Sequence, residues 1–104
     1  MAWLVLVLSG VLEAVWAIAL SKSDGFSRLL PSVVFGVALV LSMIGLAIAM
    51  RTLPVGTSYA VWVGIGAALT VVYAMVTGAE SASVIKVLLI VGVVGCVIGL
   101  KLVS

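Results

Sequence analysis

The chain has 104 residues, 66% of them hydrophobic and 8% charged, with a formal net charge of +2. An ordinary soluble domain needs about 25% charged residues to cover its surface. A soluble fold is therefore excluded, and a mean hydropathy of +1.58 points to an integral membrane protein. The absence of histidine and the single cysteine leave almost no ligands for a transition metal and no intrachain disulfide. The five basic residues lie near segment ends, which does not suggest nucleic acid.

About 20 apolar residues span a bilayer, and the sequence divides into four such stretches. The first runs from Ala2 to about Leu20. Ala17-Ile18-Ala19 mimics a leader cleavage site, but no basic region precedes it and Glu13 interrupts the apolar run, so the segment is expected to stay. The polar stretch from Ser21 to Arg28 follows, with Asp24-Gly25 as a turn signal. Pro31-Ser32 is expected to open the second helix, which reaches about Met50. Leu53-Pro54 starts the third, which continues to about Thr77. Gly64 and Gly66 in its middle fit either close packing on a neighbouring helix or a hinge. After the loop from Gly78 to Ser83, the fourth helix runs from about Val84 to Leu102. Gly92, Gly95 and Gly99 give it a GxxxG-type stripe, a candidate helix-pairing and dimer-packing face, with Cys96 as small buried filler.

The fold class is therefore an all-α membrane protein of four helices, one domain over residues 1–104. Four such helices enclose little volume, so a site is expected at an interface between copies. Arg51 and Lys101 lie on the side of the termini, and Lys22, Arg28 and Lys86 on the other. So small a bias gives the positive-inside rule little to act on, and oppositely oriented copies could pair.

Glu13 is the strongest functional candidate. A charge at mid-membrane costs about 2.5–3.5 kcal/mol on insertion scales. The five basic residues all lie toward segment ends, so none is placed to neutralise it. An intramembrane acid without a partner is by default a proton or cation site. At helical spacing Ser9, Gly10, Glu13, Trp16 and Ala17 share one face. Tyr59, Trp62 and Gly66 share a face of the third helix, and their rings could line a cation site, donate to the carboxylate, or simply fill space. Ser42 could join this cluster or bond back to its own helix. Trp3 reads as an interfacial anchor. No nucleophile–base pair, phosphate loop or metal cluster is evident, so an enzyme is not expected.

These residues resemble a known family. The lone glutamate, the motif Pro54-x-Gly56-x-Ser58-Tyr59-Ala60-x-Trp62-x-Gly64-x-Gly66 and the glycine-rich fourth helix resemble the small multidrug resistance transporters along the whole chain. Gly10, Glu13 and Trp16 together, Gly25-Phe26-x-Arg28 before Pro31-Ser32, and Ser42 look like the guanidinium exporter subtype. The resemblance implies an antiparallel dimer in a bacterial inner membrane, two glutamates in one pocket, and exchange of protons for a guanidinium-like cation without a cofactor. It implies that Glu13 binds proton or substrate, that Trp16, Ser42, Tyr59 and Trp62 orient it or line the pocket, and that Gly10 belongs to the pocket. Ser58, Val63 and Leu69 depart from the subtype, Thr77-Gly78-Ala79-Glu80 is more polar than usual, and Lys22 stands one position later than the relatives' lysine. These departures keep a heterodimer with a sister chain open.

Proton-coupled guanidinium export leads, since a planar cation with several N–H donors matches carboxylate oxygens. Efflux of quaternary ammonium or other hydrophobic cations is the alternative, needing aromatic surface but no donor matching. A non-transporting assembly subunit is the third reading, and packing alone gives no reason to bury Glu13.

Overall fold

Apolar stretches of this length close their backbone hydrogen bonds internally, since each unsatisfied group in hydrocarbon costs several kcal/mol. The computed structural model describes residues 2–103 and contains four helices: α1 (Ala2–Lys22), α2 (Leu29–Ala49), α3 (Val55–Val76) and α4 (Val84–Val103). All four are long and apolar enough to cross a membrane. Large apolar side chains such as Leu4, Leu8, Leu41, Leu88 and Leu89 point outward, a surface suited to lipid.

Two boundaries differ from expectation. Helix α2 begins at Leu29, two residues before Pro31. The proline sits at the third helical position, where a backbone N–H has no partner within the helix, so nothing is lost. Helix α1 runs on to Lys22, and the link to α2 is a tight turn. Buried Ser23 holds it, donating its hydroxyl to Leu20 O (2.8 Å) and accepting from Phe26 N (3.2 Å). Asp24, Gly25 and Phe26 all adopt positive φ, of 51°, 69° and 68°. Ser83 caps α4 by accepting from Lys86 N at 3.1 Å.

Helix α1 packs on both α2 and α3, whereas α4 packs chiefly on α3. The core lies where the first three meet: Leu6, Leu46, Ala49, Val61 and Trp62, with Trp3, Met50, Leu53 and Ile65 around it. The Lys101 ammonium lies 5.8 Å from the Trp3 ring centroid, which brings the ends of α1 and α4 together. Gly64 admits α4, since a Cβ there would come within 2.9 Å of Val97 Cγ2. Helix α3 runs unbroken through Gly64 and Gly66, so in this conformation both glycines serve close approach.

Cys96 corrects one expectation. It is exposed, not buried filler, because α4 meets chiefly α3 and contains no buried residue. The described chain measures 41 × 34 × 17 Å. Packed helix axes lie about 8–10 Å apart, so the thin dimension holds about two helix layers.

Candidate cation-binding site

Glu13 stands in the middle of α1, on the seam with α3. Two glycines bring that seam together. A Cβ on Gly10 would come within 2.8 Å of the Ile65 side chain, so glycine lets α1 approach α3. A Cβ on Gly66 would overlap the Glu13 carboxylate, so the acid lies directly against the α3 backbone. Oε1 of Glu13 is buried there without a hydrogen-bond partner. Among the described residues the ion pair is Lys86–Glu80 at 3.3 Å, and no basic group comes within 4.0 Å of Glu13.

Ser42 joins the three helices. Its hydroxyl donates to the carbonyl of Ser9 on α1 at 2.7 Å and accepts from the indole Nε1 of Trp62 on α3 at 3.0 Å. Of the two roles open to it in sequence, bonding across helices is the one observed. All three residues are buried. The Trp62 N–H is therefore used by Ser42 and does not reach the carboxylate. Ser9 turns its own hydroxyl back to Val5 O at 2.7 Å, leaving its carbonyl for Ser42.

Trp16, one turn from Glu13, has a buried indole nitrogen without a partner. Its ring meets the edge of Phe35 at 5.9 Å and 78°, and Phe35 meets Phe26 of the turn at 5.5 Å. Tyr59 lies beside Trp62, ring centroids 6.0 Å apart, yet is 56% exposed and looks away from the core.

The structure thus brings Gly10, Glu13 and Gly66 onto one seam and links Ser42 with Trp62. Trp16 keeps the face of Glu13, while Tyr59 marks the rim. Gly92, Gly95 and Gly99 lie apart, on α4, and a Cβ on any of them would meet nothing within 4 Å. Ser58 is fully buried with its hydroxyl unpartnered; Val63 and Leu69 face outward. Phe35 lies outside the set read from sequence. Its signal was present, since Phe35, Ala38, Ser42, Leu46 and Ala49 follow helical spacing on the inward face of α2.

Fold and site together define a four-helix, multi-pass membrane protein with a lone intramembrane carboxylate. The sequence pattern of the Small Multidrug Resistance proteins matches residues 1–94. The chain belongs to that family, and is a transporter, not an enzyme. It is similar to the guanidinium exporter of Yersinia pseudotuberculosis, 50% identical over 104 residues and covering 100% of both chains. The guanidinium exporter of Escherichia coli is 48% identical over 102 residues, covering 98% of this chain and 97% of its own. That of Proteus vulgaris is 43% identical over 104 residues, with 100% of each covered.

Proposed function

We propose that the chain acts as an antiparallel homodimer in a bacterial inner membrane and exports guanidinium and small substituted guanidinium ions in exchange for protons. The observation that carries this reading is the Glu13 carboxylate, pressed on the α3 backbone with Oε1 buried and no cation beside it. A carboxylate partly removed from water favours any state in which its charge is cancelled, by a proton or by a bound cation. Those two ligands compete for the same oxygens, so each promotes release of the other. Guanidinium presents paired N–H donors to carboxylate oxygens and fits two such groups better than a cation without donors. The names of the full-length relatives support the same substrate.

Four helices of this length enclose little volume, and Tyr59 at the rim is exposed, which supports a second copy across the site. In the dimer Glu13 binds proton or cation, Ser42 and Trp62 fix the helices behind it, and Gly10 shapes the seam. Trp16 and Tyr59 line the shared pocket, and the open stripe of Gly92, Gly95 and Gly99 packs the two α4 helices. The purified chain alone, reconstituted in liposomes, tests the proposal. Guanidinium should drive proton-coupled currents, and a quaternary ammonium ion should give little. Preference for the quaternary ion would overturn the substrate assignment, and inactivity without a sister chain would overturn the homodimer.

A further inference from the structure

Beyond Glu13 the α1–α3 seam opens into a cavity of about 460 Å³ toward the side of the α1–α2 and α3–α4 loops. Its polar lining is Ser21, Lys22, Thr70, Tyr73, Thr77 and Glu80. Ser21 lies on the Glu13 face of α1, two turns on, and Thr70 follows Gly66 by one turn of α3. The cavity is thus continuous in register with the seat of the carboxylate.

Three of the four lining hydroxyls share one property, whereas Tyr73 accepts from Lys22 and keeps its own O–H proton. Ser21 donates to Ile18 O at 2.7 Å, Thr70 to Gly66 O at 2.7 Å, and Thr77 to Tyr73 O at 2.8 Å. Each has given its proton to its own helix and has only lone pairs left for the cavity. Glu80 adds a carboxylate at the rim, half exposed and held by Lys86. A lining richer in acceptors than in donors suits a ligand that is all donor, and one such group is already there. The Lys22 ammonium donates to the Tyr73 hydroxyl at 2.7 Å and lies 5.2 Å from that ring's centroid.

We propose that this chamber is a transit site for guanidinium-type cations, in which the Lys22 ammonium is the resident stand-in that a passing substrate replaces. Guanidinium is also donor-only and flat enough to share the Tyr73 ring. A quaternary ammonium has no N–H to offer the acceptors, so the chamber discriminates between the two before Glu13 is reached. The inference rests on the export reading and deepens it: in an antiparallel dimer each copy would supply one such chamber, one at each membrane face.

The test uses full-length Glu13→Gln protein in lipid nanodiscs, which removes the main site. With ring-labelled tyrosine, NMR resolves Tyr59 and Tyr73, the two tyrosines in the chain. Titration with guanidinium should shift Tyr73 saturably. Adding Lys22→Met should tighten that response about tenfold, because a tethered competitor has been removed. Adding Thr70→Val with Thr77→Val should abolish it, and tetramethylammonium should bind at least about tenfold more weakly. A Tyr73 response that never saturates, that is equal for tetramethylammonium, or that survives the paired valines would overturn the proposal. Since Tyr73 is read without Glu13, absence of liposome transport by the unaltered protein beside an intact Tyr73 response counts against the export reading alone.

Discussion

The α1–α2–α3 seam and helix α4 are built on opposite plans. In the seam, glycine is used inward: Gly10 and Gly66 let helices close on Ile65 and on the Glu13 carboxylate, while Ser42 links the α1 backbone to the Trp62 indole of α3. In α4, glycine is used outward: Gly92 and Gly95 are exposed, and the helix packs mainly on α3, with Lys101 reaching Trp3 at its end. The same residue type thus does two jobs. Without a hydrophobic drive between helices in lipid, backbone approach and cross-helix hydrogen bonds supply the attraction. The seam uses its glycines for contacts within the chain, whereas the glycine stripe of α4 stays open.

The sharpest break in that contrast is Glu13→Gln. It keeps the shape of the seam but removes the charge, so proton-coupled guanidinium current and guanidinium binding should both vanish while insertion and dimerisation persist. In the unaltered protein, affinity should fall as pH drops, because proton and cation exclude each other at one carboxylate. Tryptophan fluorescence or calorimetry across pH checks both statements. Wild-type-like, pH-dependent binding by the variant would remove Glu13 from the mechanism.

Gly66→Ala tests the seam without touching any charge. The added Cβ, fixed on the α3 backbone, overlaps the Glu13 carboxylate, so the flexible glutamate side chain must swing away. Displacing a binding group by about 1 Å costs roughly a hundredfold where geometry governs the step. A transport loss of that order is expected, with α4 packing unchanged. Gly36→Ala is the control, since its Cβ would meet nothing within 4 Å.

Gly99→Leu tests the other plan. A bulky residue on the open stripe should lower the dimer fraction severalfold, measured by crosslinking in membranes, while the seam within each chain stays intact. Topology reporters at the C-terminus should show both orientations in comparable amounts. A fully dimeric, active Gly99→Leu protein would exclude α4 as the contact.

Much of this contrast was legible in sequence. Four apolar runs with polar breaks can form little but four helices, and a mid-run glutamate with no cation in reach marks itself. Which glycines face inward was not legible, because Gly64, Gly66, Gly92 and Gly95 look alike until the neighbours are known. Ser42 showed the same ambiguity, since its own helix carbonyl and a neighbour's are equally good acceptors. Cys96 was misplaced for a related reason: apolar sequence signals contact with lipid or with protein equally, and in α4 it signals lipid or a second copy. The acceptor chamber was hidden altogether, since Ser21, Thr70 and Thr77 meet only through the register of α1 against α3.

The smallest effect belongs to Ser42→Ala, and it is the most informative about the seam. Removing the hydroxyl takes the acceptor from the N–H of Trp62, a residue only 4% exposed. It also frees the Ser9 carbonyl, which still accepts within α1, so the main loss is at the indole. Cross-helix hydrogen bonds in membranes average about 0.6 kcal/mol and reach about 1.7. A destabilisation near the upper end, about 1.5 kcal/mol, is expected here because both partners are buried. Trp62→Phe removes the donor while keeping most of the ring, and costs packing at the indole's second ring instead. If the hydrogen bond is the shared element, the double variant should be less destabilised than the sum of the singles by about 1 kcal/mol. Unfolding in mixed micelles measures all three. Simple additivity would mean that Ser42 and Trp62 contribute separately, and that the glycine contacts alone hold the carboxylate's seam closed.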